Sequence, residues 1–396
     1  MSWSDWWPLG RRGSLRPPGI DEAQYECSGT AALVVALRTL QRMSPRSDVI
    51  VPAYTCPLVA IAIAECGLRV RLCDTRPGHF DMDQDALARM CDADTLAVVP
   101  THLGGRVADV AHAIVCAHLA GAWVIEDAAQ AWGACADGKP VGLLGDIGFF
   151  SLAVGKGITT YEGGVLVSRD PALREGMRAL AHATVPFHPG WETLRLAQLF
   201  AYTALYRPLA LRVVYAWPRS RALARGDWIG AVGDSFAASI PLHRMSRWRR
   251  RIGERSALRW PVFSAALRAQ AGRRIERLER IGGVHVIQDR DVDKGAWPFF
   301  LVRLPNPRMR DAILHALAGS PFGVSRLFVH ALPDYDYLSS CISQSKVPNA
   351  RAFAACTLTI TNSPWLDDPA FEQLARRIGQ VLRELRSMPG ASAIAH

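Results

Sequence analysis

The sequence predicts an α/β fold: a large domain on a mostly parallel sheet covered by helices, then a smaller α/β domain at the C-terminus. Three observations predict it. Strand-like and helix-like segments alternate through the first half, the polar residues of that half fall at strand ends, and the pattern changes near residue 245. Alternation demands crossover connections, which make neighbouring strands parallel and place helices on both faces. With 396 residues, 49% of them hydrophobic, the chain is long enough to bury a large core.

The elements follow in order. "SGTAALVVALRTLQRM", residues 28–43, has apolar residues at helical spacing after a cap at Ser28 or Thr30. "DVIVPA" is a short β-branched strand, "TCPLVAIAIAECG" a helix closed by Gly67, and "RVRLCD" a strand. "TLAVVPTHL" gives the next strand, "ADVAHAIVCAHLAG" a helix ending at Gly121, and "WVIEDAAQ" another strand. Beyond residue 245, "WPFFLVRLP" reads as a strand, "MRDAILHALAGSPFGV" as a helix, and "DDPAFEQLARRIGQVLRELRSM" as a long amphipathic helix with an acidic start. This sets the expected domains at 1–245 and 246–396. An apolar and basic insertion at about 190–225 fits neither.

The charge of +10 is unevenly placed. Residues 191–280 hold eighteen Arg, no Lys and six acids, so the rest of the chain is near neutral. Such a stretch suits phosphates, anionic headgroups or nucleic acid; high genomic use of arginine explains it equally well, and no nucleic-acid partner is expected. Nine scattered cysteines without a CxxC pair argue for reduced thiols. His112, Cys116 and His118 lie in a helix of small apolar residues with no second cluster, so no metal site is expected. The opening "MSWSDWWPLGRRGSLRPPG" lacks the apolar core of a secretory signal, which points to the cytoplasm.

In sheets of this kind ligands gather at the carboxyl ends of strands. Thr101 and His102 close one strand, Glu126, Asp127 and Gln130 close the next, and Ser151 and Lys156 follow "IGFF". In "FFSLAVGKGITTYEGG", residues 149–164, Lys156 stands between two glycines. A lysine that attacks the aldehyde of pyridoxal phosphate needs close approach, which glycines permit. The cofactor's ring nitrogen needs a carboxylate partner, and Asp127 at a strand end can supply one. Its phosphate needs oriented N–H donors, which a helix opening with Ser28, Gly29 and Thr30 provides. Each feature alone is as well explained by a surface charge, a turn or a cap; their order together carries the reading.

With "SGTAAL", "VIVPAYT", "VVPTHLGG", "VIEDAAQAWGA" and "GDIGFFSLAVGKGITTYEGGVLV", residues 27–170 resemble the DegT/DnrJ family of sugar aminotransferases. A looser match runs from about 237 to the end. The resemblance implies fold type I of the pyridoxal 5'-phosphate enzymes, with a seven-stranded type of sheet, and a homodimer. It implies that Lys156 bonds the cofactor and moves the proton, that Asp127 pairs with the ring nitrogen, and that Gln130 lies near the ring hydroxyl. Ser28, Gly29, Thr30 and Ser151 would hold the phosphate. It further implies glutamate as donor and a keto sugar on a nucleotide as acceptor, in polysaccharide or secondary-metabolite biosynthesis. His102 is a candidate on the substrate side, or else a satisfied strand-end histidine.

The chain departs from the family pattern in several places. Cys56 stands where an aromatic commonly stacks on the cofactor, so Tyr54 or another residue would have to replace it. "GDWIGAVGDSF" lacks the asparagine that a partner subunit commonly supplies. The segment before "SGT" is short, and Tyr161 occupies a position usually held by glycine, which makes it a substrate-side candidate. Between Trp191 and Trp217 an apolar, aromatic stretch is interrupted by Arg195, Arg207, Pro208 and Arg212. Spanning a bilayer would cost about 2.5–3.5 kcal/mol for each central arginine. Two readings remain: 191–225 lies on a membrane surface as an amphipathic helix, or it packs against the partner subunit. The first would make the protein peripheral to the inner face of the membrane, with a lipid-linked or secondary-metabolite ketone as acceptor. A low-turnover regulatory or binding protein on the same fold is the reading from another class.

Overall fold

The computed structural model describes residues 2–7, 11, 13–207, 217–290 and 292–387. Its main sheet joins β1 (Gln24–Glu26), β2 (Asp48–Pro52), β3 (Arg69–Cys73), β4 (Thr95–Val98), β5 (Trp123–Asp127), β8 (Ile147–Ser151) and β9 (Gly164–Val167). They lie in the order β1-β9-β8-β5-β4-β2-β3. The run from β3 to β8 is parallel, and β9 and β1 add antiparallel pairs at one edge. β2 and β4 are buried along their whole length, which is why "DVIVP" and "TLAV" read as near-continuous apolar runs and not as alternating ones. β6 (Cys135–Ala136) and β7 (Lys139–Pro140) form a small separate ribbon.

Helices cover the sheet as the alternation requires. α1 (Gly29–Met43) packs across β8 and β9 and against α2 (Pro57–Glu65) and α5 (Pro171–Thr184). Ser28 caps α1 by accepting the Ala31 N–H at 3.0 Å. α3 (Gln84–Met90) and α4 (Val110–Leu119) pack together, each capped by an aspartate, Asp83 and Asp109. The sheet changes direction between β2 and β4, because β3 follows β2 on one side and β4 pairs on the other. Loops diverge there at the strands' carboxyl ends and leave a crevice.

The second sheet is antiparallel, β10 (His285–Val286), β11 (Phe299–Arg303), β13 (Thr357–Thr361) and β12 (Val324–Ser325) in that order. Phe300, Val302, Leu358 and Ile360 form its core with Leu374 and Ile378 of the helix Asp368–Ser387. Chain order and core membership do not coincide: Phe328, Leu332, Tyr335 and Phe353 pack into the core of the main sheet.

The predicted insertion contains α6 (Pro189–Leu205) and a helix Trp217–Ala224; residues 208–216, including Arg212, lie outside the described residues. α6 buries Leu199 and Thr203 against its own chain. Trp3 and Trp6 meet Phe200 edge-on, with centroids 5.2 and 5.5 Å away. Glu192 and Arg249, both buried, pair at 2.5 Å, and Arg195 pairs with Glu162. α6 is thereby fastened to the loop that carries Lys156. Trp191, Leu194, Phe200 and Leu205 remain exposed on its outer side.

Candidate active site

Lys156 sits on a compact loop between β8 and β9. The Leu152 N–H bonds to the Gly163 carbonyl at 2.7 Å, the Thr160 N–H to Leu152 at 3.0 Å, and the Lys156 N–H to Ala153 at 3.2 Å. The flanking glycines serve different ends. Gly155 has φ +83° with open space around it, so it supplies a left-handed turn. At Gly157 a Cβ would lie 2.8 Å from that of Trp132 and 3.0 Å from the Trp260 ring, so close packing excludes a side chain.

Asp127 ends β5 and is buried, its Oδ1 accepting the Ala129 N–H at 3.0 Å. Burial raises its carboxyl pKa, against the opposing pull of Lys156 and His102. Lys156 is half-buried, and desolvation lowers its ammonium pKa although Cys56 and Asp127 oppose the shift. Cys56 precedes α2 at the same end of the sheet, its thiol pushed up to about 12 by burial. The site therefore holds a neutral thiol, an amine whose charged form burial disfavours, and a carboxyl whose ionisation burial opposes.

Ser28, Gly29, Thr30 and Ser151 come together across the start of α1. A Cβ on Gly29 would stand 3.1 Å from that of Ser151, and one on Gly164 would stand 2.1 Å from the Ser28 carbonyl oxygen. Only glycines let β9, β8 and α1 meet so closely. The first amides of α1 have no acceptor within the helix, and the hydroxyls of Thr30 and Ser151 are half-buried beside them. A buried carboxylate, a depressed lysine and a helix N-terminus flanked by hydroxyls are the donor set that pyridoxal 5'-phosphate requires, and the residues present fit it.

Gln130 follows β5; its Oε1 accepts the Gly104 N–H at 2.7 Å, which aims its amide N–H groups away from that bond. Gln130 and Lys156 line one cavity of 440 Å³. Its remaining walls include Tyr202 and Tyr206 at the end of α6, Trp260, Phe263 and Leu267 of the helix Trp260–Glu279, and the turn Thr361–Trp365. Local sequence signals could not mark these residues. They come from three separate segments, 202–206, 260–267 and 361–365, whose own pattern is that of ordinary helix and turn.

Two substrate-side candidates lie at the same end of the sheet but are held within the fold. His102 is fully buried: Nδ1 accepts the Ala108 N–H at 3.0 Å, so Nε2 carries the proton and donates to Glu126 at 3.1 Å. Glu126 in turn accepts the N–H groups of Gly142, Leu144 and Gly145. Both histidine nitrogens are thus committed to holding the sheet's end, and none is left for a substrate. Tyr54 is equally buried, its hydroxyl donating to the Phe328 carbonyl at 3.2 Å and its ring packed edge-on by Phe328 and Phe353. It is a core residue in the place of the expected stacking ring. Tyr161 is half-buried with φ +70°, the left-handed region where glycine is the usual occupant. Asp234, in the stretch that lacks asparagine, accepts from Tyr335 at 2.5 Å and from the Val329 N–H at 2.8 Å within its own chain.

Residues 20–194 match the model of the DegT/DnrJ/EryC1/StrS aminotransferase family. That segment, 175 of the 396 residues, is similar to members of the family. Protein MosB of Rhizobium meliloti is 39% identical over 159 residues, 40% of this chain and 31% of that protein. GDP-perosamine synthase of Caulobacter vibrioides is 38% identical over 162 residues, 41% of this chain and 43% of that protein. The chain thus spans less than half the length of these curated relatives. Among solved structures, a putative sugar aminotransferase from Streptococcus pneumoniae superposes with TM-score 0.72 at 19% identity, over 92% of this chain and 89% of the other. The aminotransferase TlmJ of Streptoalloteichus hindustanus gives TM-score 0.70 at 24% identity, over 92% and 86%. At such identity the likeness establishes the fold. The segment matched as DegT/DnrJ holds Ser28 through Lys156, whereas the cavity walls from Tyr202 onward lie beyond it.

Proposed function

We propose that this chain is a pyridoxal 5'-phosphate-dependent aminotransferase that moves an amino group from glutamate to the ketone of a keto sugar. The observation that carries the reading is the meeting of buried Asp127, the desolvated Lys156 amine and the start of α1 at one end of the sheet. When bound, pyridoxal 5'-phosphate supplies an aldehyde to receive the amino group and a ring that draws electrons from the reacting carbon. Asp127 would keep the ring nitrogen protonated, because the attraction between its carboxylate and that cation offsets the desolvation cost of ionising it. The first turn of α1, with Thr30 and Ser151, would anchor the phosphate. The Lys156 amine, its ammonium form disfavoured by burial, would take and return the proton at the substrate carbon.

Relatives support the acceptor class: one is named GDP-perosamine synthase and another dTDP-3-amino-3,4,6-trideoxy-alpha-D-glucose transaminase. We propose a homodimer, and a cytoplasmic enzyme serving polysaccharide or secondary-metabolite synthesis. The exposed outer face of α6 would contact the partner subunit or a membrane surface. No helix among the described residues is long and apolar enough to cross a membrane. The test is spectroscopic. Protein loaded with pyridoxal 5'-phosphate should show the absorbance of lysine-bound cofactor and lose it on adding glutamate. Lys156→Ala should bind cofactor without that band and lose turnover by about 100-fold or more; an unchanged band in the variant would refute the assignment.

A further inference from the structure

The chain between β10 and β11, in which residue 291 lies outside the described residues, returns to the main-sheet side of the molecule. Lys294 exchanges backbone N–H bonds with Cys135 at 2.9 and 2.8 Å, and the Ala296 N–H bonds to the Gly105 carbonyl at 2.9 Å. The end of this segment forms part of the cavity beside Lys156. Ala296 and Pro298 line it, and Asn362, also in the lining, donates its side-chain amide to the Trp297 carbonyl at 3.0 Å.

Arg106 grips this segment at two places. It follows the turn Leu103–Gly105 after β4 and is 1% exposed. Its Nη1 donates at 2.9 Å to the Asp289 carboxylate oxygen that also accepts the Gly295 N–H. Its guanidinium lies over the ring of buried Trp297, 3.0 Å from the centroid. A flat guanidinium can stack on a ring while its N–H edge pairs with a carboxylate, which a lysine cannot do. Trp297 takes φ +51°, a left-handed backbone uncommon for a residue with a side chain. Such a backbone persists only where its surroundings hold it, and the Arg106 stack and the Asn362 bond hold this one. The same turn reaches the cofactor side: the Gly104 N–H bonds to Gln130 Oε1 at 2.7 Å. A Cβ on Gly105 would stand 2.8 Å from Pro298 Cδ and 3.0 Å from the Gln130 carbonyl oxygen, so the wall and Gln130 meet on one glycine.

We infer that Arg106 is a positioning residue for the active site: held between Asp289 and Trp297, it fixes the wall formed by Ala296 and Pro298 relative to Gln130 and Lys156. This rests on the aminotransferase reading, in which the cavity receives the amino donor. Arg106 lies outside the lining and acts through the wall. Without it the wall shifts, whereas Lys156, Asp127 and the start of α1 belong to the main sheet and its first helix and stay in place. Substrate binding therefore weakens while the bond between Lys156 and the cofactor persists.

The experiment uses the full chain loaded with pyridoxal 5'-phosphate, as wild type, Arg106→Met, Arg106→Lys and a control, Leu374→Ala, in the core of the second sheet. Each is titrated with glutamate while the absorbance of lysine-bound cofactor is followed. In Arg106→Met the half-saturating glutamate concentration should rise at least about tenfold, while the limiting rate falls less than about threefold. Arg106→Lys keeps the charge but not the stack, so its rise should be at least about threefold; it carries the test if the methionine variant does not fold. Amide hydrogen exchange at 292–298, measured without substrate, should quicken at least about tenfold in both Arg106 variants and stay near wild type in the control. An unchanged glutamate midpoint, an equal shift in Leu374→Ala, or exchange that quickens no more at 292–298 than across β11 and β13 would overturn the inference. A wild-type band that does not respond to glutamate would sink the aminotransferase reading by itself, and the exchange data would still decide whether Arg106 fixes the wall.

Discussion

Around Lys156 each neighbour has its own physical reason. Gly155 is a conformational requirement and Gly157 a packing requirement, so their substitutions should fail differently. Gly157→Ala drives a methyl to within 2.8 Å of Trp132 and should cost about 1–3 kcal/mol by overpacking, with weaker cofactor retention. Gly155→Ala meets open space and should cost about 1–2 kcal/mol through its left-handed backbone alone. Urea midpoints of the two variants, with and without cofactor, check both. Tyr161 accepts a similar strain at φ +70°. Tyr161→Gly relieves about 1–2 kcal/mol but adds about 0.5–1 kcal/mol of chain entropy, so a net gain of no more than about 1.5 kcal/mol is expected in the same assay. A clear loss would mean that the tyrosine ring makes contacts that outweigh its backbone cost.

At the scale of elements, α6 depends on one buried ion pair. Burial alone would raise the Glu192 carboxyl, but bonds from His243, Arg249 and Ser246 outweigh it and hold its pKa at about 2. The folded value lies below the ordinary 4.5, so the group's stabilisation is present above about pH 4.5 and is lost as pH falls toward 2. Glu192→Gln leaves Arg249 buried without its anion and should cost about 3 kcal/mol at neutral pH. It should also shrink the difference between urea midpoints at pH 7 and pH 3; an undiminished difference would place the acid sensitivity elsewhere. Because Arg195 joins α6 to Glu162 and Arg249 reaches the Glu162 carbonyl, loosening α6 should also loosen the lysine loop.

At the scale of the whole molecule, the arginine-rich stretch has a meaning that its composition does not convey. Arg249 and Arg274 are buried, Arg259 pairs with Asp5 near the N-terminus, and Arg277 grips Glu372 near the C-terminus. Much of the positive charge in 191–280 is therefore internal fastening between distant segments, and only the remainder is available to an anionic surface. The strand and helix order of the first half was legible because each segment's periodicity reports its own burial: "DVIVP" and "TLAV" are buried on both faces, and α1 opens at its serine cap. Asp127, Ser151 and Lys156 were legible because parallel strands carry their carboxyl ends to one edge. His102 and Tyr54 lie at that edge too, yet their roles depend on whether Ala108, Glu126 and Phe328 arrive to bond them. By itself the sequence determined the sheet, its helical cover and the strand-end positions of Asp127, Ser151 and Lys156, since these follow from local spacing and strand direction. Only the tertiary structure decided which polar groups stay free and what walls the cavity beside Lys156, because both depend on partners far away in the chain.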